Sequence, residues 1–160
     1  MSLRRVRDDG EIGDVVGFLL TADESRLRIR DRRGQVHDLA WEGVLAWREV
    51  GVARGRDPLA TPLAELDAHA AAAGVIGRVL VARLCDLLDH SAAPPVGEPG
   101  SPAPQPAVVA GEWVTTGVID DLLSLAWWAA HSDARSIQVR TTDDDGAARL
   151  LASGFTERMP

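Results

Sequence analysis

Few side chains in this sequence could carry out catalysis on their own. All 17 basic residues are Arg, and the chain has no Lys, no Asn and no Tyr. No lysine amine can therefore act as a base or nucleophile, and no tyrosine phenol can act as an acid. The four His residues lie far apart without the spacing of a metal site, so we expect no bound metal. The catalytic residues stay unassigned.

An arginine-rich stretch is the most visible charge pattern. Arg26, Arg28 and Arg30 alternate with apolar residues and would line one face of a strand, as in a patch that binds anions or nucleic acid. Residues 1–58 carry 11 Arg and 11 acidic residues, however, so the local net charge is zero. We therefore favour a solvated strand face whose arginines pair with acids such as Asp14, and we expect no nucleic-acid partner.

Composition limits the class of protein. A chain of 160 residues with 46% hydrophobic content can form one ordinary domain or two small ones. It contains no apolar run long enough to span a bilayer and begins without an apolar signal segment, so we expect no membrane partner. The single cysteine, Cys85, favours a cytoplasmic location. All of the net charge of −7 lies in residues 59–160, which makes this part a poor host for phosphates.

The N-terminal part reads as strands separated by turns. Alternation of polar and apolar residues, interrupted by Asp-Gly and Arg-Gly turns, indicates short strands within residues 1–57. The predicted strands are 3–7, 14–20, 26–30, 35–40 and 45–50. Short strands at this density favour a small closed or half-closed β-barrel of the SH3-like kind.

The middle of the chain, residues 58–92, is predicted to be helical. Pro62 suits a helix start, and residues 63–73 are rich in Ala, Leu and Glu. We predict a second helix over residues 78–89 because its leucines fall on one face. The same apolar residues could instead form a buried strand, and that alternative stays open.

The C-terminal part follows a proline-rich stretch. Residues 93–106 hold six of the nine prolines and are expected to act as a semi-stiff linker. Residues 107–160 read as α/β, which makes the whole chain α+β. The elements predicted there are a strand at 107–110, a helix at 120–131, a strand at 136–140 and a helix at 145–153.

Two parts of the sequence resemble one family. Residues 13–23, with 27–30, 33–36 and 42–48, are similar to the N-terminal SH3-like domain of an actinobacterial acetyltransferase family. Members of that family place the barrel before a GNAT acetyltransferase domain. Residues 111–155 resemble the acetyl-CoA-carrying half of that domain, in the order strand, phosphate loop, helix, strand, helix and closing Gly-Phe.

The resemblance implies an N-acetyltransferase with acetyl-CoA as its cofactor. Backbone N–H groups of the phosphate loop would approach the pyrophosphate, and the following helix N-terminus would add positive potential. The residues implied to bind the cofactor are Val114, Thr115, Thr116, Gly117, Val118 and Ile119.

This loop departs from the family signature Q/R-x-x-G-x-G/A. Val114 stands in the Gln/Arg place and offers no polar group, and the β-branched Ile119 replaces Gly or Ala. Asp120 and Asp121 open the helix, where their charge would repel a phosphate. Their simpler role is helix capping, which contributes about 0.5–2 kcal/mol. We therefore expect acetyl-CoA binding to be impaired or lost.

Two functions remain open. The first is a GNAT-related, acetyltransferase-like pseudoenzyme that lacks the family's usual Tyr and Asn, with a final strand that is short or absent. It would bind acetyl-CoA if active and no cofactor otherwise. The second is a non-catalytic binding module, in which the N-terminal barrel recognises a peptide or protein partner and the GNAT-like part supplies an interface, for example in a homo-oligomer.

Overall fold

The computed structural model describes residues 1–31, 33–88, 102–117 and 120–159. The chain divides into two compact units, Met1–Gly51 and Val52–Pro160. Within the described residues it is a mixed α+β structure with two five-stranded sheets and four α-helices. No described helix has the length and apolar character needed to cross a membrane.

The first unit is one antiparallel sheet with the strand order β4-β3-β2-β1-β5. The five strands predicted from the alternation are confirmed, with ends shifted by up to two residues. They are β1 (Ser2–Val6), β2 (Ile12–Ala22), β3 (Arg26–Asp31), β4 (Val36–Ala40) and β5 (Val44–Arg48). Among the described strands, no pairing between β4 and β5 closes the sheet, so the closed form of the expected closed or half-closed barrel is not present there.

The core of the first unit follows from the two-residue repeat of side-chain direction along a β-strand. Alternate residues of the strands point to one face and are buried, while their neighbours face outward. The buried set is Leu3, Val15, Leu27, Ile29 and Leu39. Gly10 adopts φ +81° in the turn between β1 and β2, a conformation that side chains other than glycine's rarely tolerate.

The arginine row of β3 is a paired, partly buried strand surface. Arg26 donates from Nε to Asp38 Oδ1 of the neighbouring strand at 2.6 Å, whereas Arg30 is only 7% exposed. The interpretation as arginines paired across to acids is confirmed for Arg26. The partner named in the prediction is wrong, because Asp14 pairs with Arg4 at 2.9 Å.

The second unit is a mixed sheet with helices packed against it. Its strand order is β10-β6-β9-β8-β7, and all neighbours are antiparallel except β8 and β9. In chain order the elements are α1 (Leu63–Ala73), β6 (Arg78–Arg83), α2 (Leu84–Leu87), β7 (Val108–Ala110), β8 (Trp113–Thr116), α3 (Leu122–His131), β9 (Ser136–Thr141), α4 (Asp144–Ala152) and β10 (Thr156–Arg158).

The predicted helix over residues 78–89 is wrong in its first half, which is the strand β6, as in the alternative left open; Leu84–Leu87 is helical. This strand lies between β9 and β10, and its apolar residues from Val79 to Ala82 are buried on both faces. A short apolar run with both faces buried has no alternation, so periodicity cannot separate it from a helix. Gly77 precedes it at φ +115°, where an added Cβ would collide with the Thr141 backbone.

One face of this sheet is covered by α1. Leu66, fully buried, packs with Val79, Val81 and Trp113. Two polar side chains of β9 reach α1 on the same face. Gln138 donates from Nε2 to the Leu66 carbonyl at 3.1 Å, and Arg140 donates from Nη2 to Asp67 Oδ1 at 2.7 Å. These bonds position α1 on the sheet because each joins a residue of β9 to a particular turn of the helix.

The opposite face of the sheet carries α4. By alternation Arg78 points to that face, where it donates to Asp144 Oδ1 at 2.9 Å and to Glu157 Oε1 at 2.8 Å. Hydrogen bonds from Arg78 hold the pKa of Glu157 below its usual range. The helix α4 begins with Asp143, whose carboxylate accepts the amides of Asp145 and Gly146.

Replacing Leu66 with Ala tests the packing of α1 on the sheet. Loss of a fully buried leucine removes apolar contacts and leaves a cavity, so we expect the free energy of unfolding to fall by about 2–5 kcal/mol. The matched control is Leu123→Ala, because Leu123 is 50% exposed and should cost about 0.5 kcal/mol or less. Urea denaturation followed by far-UV circular dichroism measures both. Equal losses would contradict the assigned core.

Candidate functional site

The candidate site is the connection between β8 and α3. Strand β8 runs parallel to β9 in unbroken register from Trp113 opposite Ser136 to Thr116 opposite Val139. Gly117 follows at the carboxyl end of β8, and α3 begins a few residues later. In α/β proteins, anionic ligands bind where a strand leads into the N-terminus of a helix. This geometry is therefore the one that a phosphate would need.

Half of the predicted cofactor-binding residues belong to the sheet. Val114, Thr115 and Thr116 lie in β8 and are at most 1% exposed. Their amide and carbonyl groups face the neighbouring strands β7 and β9. Gly117 is exposed. The remaining two predicted residues, Val118 and Ile119, lie outside the described residues.

Gly117 has a packing reason to be glycine. A Cβ added there would lie 3.0 Å from Val75 Cγ1 and 3.6 Å from the Arg140 carbonyl oxygen. A larger side chain would push against the segment between α1 and β6. The glycine can therefore be explained without a ligand, since close packing alone selects it.

Gln105 occupies the donors at the start of α3. Its side-chain oxygen Oε1 accepts the amide of Asp120 at 3.0 Å and the amide of Asp121 at 3.3 Å. Gln105 is 7% exposed, so this contact is largely shielded from water. The first amides of a helix have no partner within the helix, and an anion binds there by accepting from them. In this chain a side chain of the protein already does so.

The carboxylate of Asp121 completes the start of the helix. It is the N-cap of α3, and its Oδ1 accepts the Ser124 amide at 3.0 Å. Hydrogen bonds from the side chain and backbone of Ser124 hold the pKa of Asp121 below its usual range, so the group is ionised near neutral pH. The predicted capping role is confirmed for Asp121, whereas Asp120 is exposed and does not cap the helix.

A second hydrogen bond joins the end of β8 to the segment before β7. The hydroxyl of Thr116 donates to the Pro106 carbonyl at 2.7 Å, next to Gln105 in the chain. The segment before β7 thus contacts both the end of β8 and the start of α3. We conclude that the connection has the outline of an anion site, but the amides of Asp120, Asp121 and Ser124 are engaged within the protein.

The contribution of Gln105 was not apparent from the sequence. It lies between Pro104 and Pro106 in a stretch that composition identifies as a linker. Its two amide partners follow 15 and 16 residues later. No motif links a glutamine in a proline-rich stretch to a helix start, so only the folded structure brings them together.

No metal site accompanies this connection. In the part of the chain that the structure describes, no three His, Cys, Asp or Glu residues lie close enough together to hold an ion. Comparisons of the chain with protein families, curated proteins and solved structures found no match.

Substituting Gln105 with Ala should destabilise the start of α3. Two part-buried amides would lose their acceptor, which costs about 1–3 kcal/mol. Gln35→Ala is the matched control because Gln35 is exposed and its side chain takes no part in a described hydrogen bond. Thermal unfolding followed by circular dichroism measures the difference. An unfolding midpoint for Gln105→Ala equal to that of the control would show that the contact contributes nothing.

Proposed function

We propose that this chain is a GNAT-related, acetyltransferase-like protein in which acetyl-CoA binding is lost. The observation that carries the proposal is the occupation of the Asp120 and Asp121 amides by Gln105. The order β8, α3, β9, α4 and β10 supports the relationship, because it follows the strand–helix–strand–helix order of the resemblance. The antiparallel order of the first sheet likewise supports an SH3-like N-terminal unit.

A pyrophosphate would have to displace Gln105 before it could bind. Breaking two hydrogen bonds of ordinary strength costs about 1–3 kcal/mol, which weakens binding by roughly 5- to 150-fold. The phosphates would then meet the carboxylates of Asp120 and Asp121. Val114, buried in β8, supplies no polar group in compensation. Each of these effects acts against the cofactor.

Isothermal titration with acetyl-CoA and with CoA tests this proposal. We expect no binding tighter than about 1 mM. The variant Gln105→Ala with Ile119→Gly and Asp120→Ser should bind more tightly than the natural chain, because it frees donors and removes bulk and charge. The control variant, Ile119→Gly with Asp120→Ser, keeps Gln105 and isolates its effect. A micromolar Kd for the natural chain would contradict the proposal.

A second candidate function is a binding module formed by the first unit. Four large apolar side chains of its sheet are more than half exposed: Ile12 at 64%, Trp47 at 55%, Val16 at 54% and Leu45 at 53%. Exposed apolar side chains at this density often mark a surface that binds a partner. Trp47 and Leu45 belong to β5, an edge strand of the sheet, so an extended peptide could contact both.

Selection of a peptide library on the full chain tests the module. Selected peptides should lose most of their affinity with Trp47→Ala, because aromatic residues carry a large share of interface energy. Trp127→Ala, in the second unit, is the control and should leave binding unchanged. Peptides that bind Trp47→Ala as well as the natural chain would contradict this function.

A further inference from the structure

A cleft in the second unit lies away from the β8–α3 connection. Its volume is about 320 Å³, and it is bounded by α1, by the turn between β7 and β8 and by the start of β9. Trp113 and Ser136, the first residues of the parallel strands β8 and β9, line it. Gly117 follows the other end of β8. The cleft lies near the lower end of the volume range of small-molecule sites, about 300–1,000 Å³.

The buried part of the cleft presents unused polar groups. Thr61, Trp113 and Ser136 line it and are 8%, 6% and 4% exposed. The two hydroxyls and the indole N–H form no hydrogen bond with any described residue. The His69 ring lies near Trp113, with ring centroids 6.2 Å apart and planes tilted by 45°, and its Nδ1 is buried without a partner. A fully buried polar atom normally has a hydrogen-bond partner, so Nδ1 of His69 points to a bound molecule in the cleft.

Unpaired charges of both signs surround these groups. Arg56, Glu65 and Glu112 line the cleft, and their side chains form no ion pair with each other or with other described residues. Other arginines of the unit do pair with carboxylates: Arg78, Arg83, Arg135, Arg140 and Arg149. Glu65 and His69 lie four residues apart in α1 and form no ion pair with each other, and both line the cleft.

We infer that this cleft binds a small zwitterion of the α-amino acid class. The Arg56 guanidinium matches a carboxylate, and the carboxylates of Glu65 and Glu112 match an ammonium group. The hydroxyls of Thr61 and Ser136 add donors and acceptors. A simple anion would meet two carboxylates, and a simple cation would meet the guanidinium. Only a ligand that carries both a positive and a negative charge matches the Arg56 guanidinium and the Glu65 and Glu112 carboxylates together.

The turn between β7 and β8 keeps one of these carboxylates at the cleft. Gly111 adopts φ +58°, which allows a two-residue connection between Ala110 and Trp113. The Glu112 carbonyl accepts the amides of Arg135 at 2.8 Å and Ser136 at 3.0 Å. The backbone of Glu112 is therefore held in place while its side chain stays free for a ligand.

Titration of the full chain with free amino acids tests the inference. The probes are glycine, L-leucine, L-phenylalanine and L-glutamate, followed by saturation-transfer NMR and calorimetry. We expect at least one to bind with a Kd of about 1 mM or tighter. For leucine, the analogues 3-methylbutylamine and 4-methylpentanoate lack one charge each. Whichever probe binds, its decarboxylated and deaminated analogues should bind about tenfold more weakly. Failure of all four amino acids to bind at about 10 mM would overturn the inference.

Charge-removing variants locate the site. Arg56→Gln and Glu112→Gln should each weaken the best probe by about tenfold. Arg54→Gln, an exposed arginine outside the cleft, should leave binding unchanged. Arg56 and Glu112 are exposed and form no ion pair, so their substitution should not unfold the chain. Far-UV circular dichroism of each variant checks that the fold is kept. Binding that survives both cleft substitutions would overturn the assignment. The outcome is independent of whether the chain binds acetyl-CoA.

Discussion

The hydrogen bonds from the Asp120 and Asp121 amides to Gln105 are the constraint on which the C-terminal unit depends. A helix that begins in a partly buried position needs acceptors for its first amides, and leaving them unpaired is costly. Gln105 supplies one acceptor for two donors. Because Thr116 also bonds to Pro106, the segment before β7 is joined to both ends of the connection. The same contacts that stabilise the helix start remove the donors that a phosphate would need.

Buried polar side chains also position the helix α1 on the sheet of this unit. Gln138 and Arg140 lie among apolar neighbours, and each bonds to a specific turn of α1. A purely apolar contact would let the helix slide, whereas these bonds select one position. In the cleft beside α1, Nδ1 of His69 is buried without a partner in the described chain.

Sequence reasoning succeeded where local periodicity decides the structure. Strand β3 alternates strictly, turn residues bound the strands of the first unit, and α3 and α4 carry acidic caps, so these elements were predicted with small errors. The strand β6 was missed because its residues are buried on both faces and show no alternation. Gln105 and the cleft could not be predicted, because their partners come from distant parts of the chain. Arg56 and Ser136, for example, are 80 residues apart in the sequence, and only the folded chain brings both to the cleft.

The most direct test of the account follows the Asp120 and Asp121 amides themselves. In ¹⁵N–¹H correlation spectra of the full chain, these two resonances can be observed while coenzyme A is added. We expect that neither resonance shifts as coenzyme A is added, and that both amides exchange slowly with solvent because Gln105 accepts from them. A saturable shift of both resonances at micromolar coenzyme A would show that the helix start binds phosphate and would contradict the central claim.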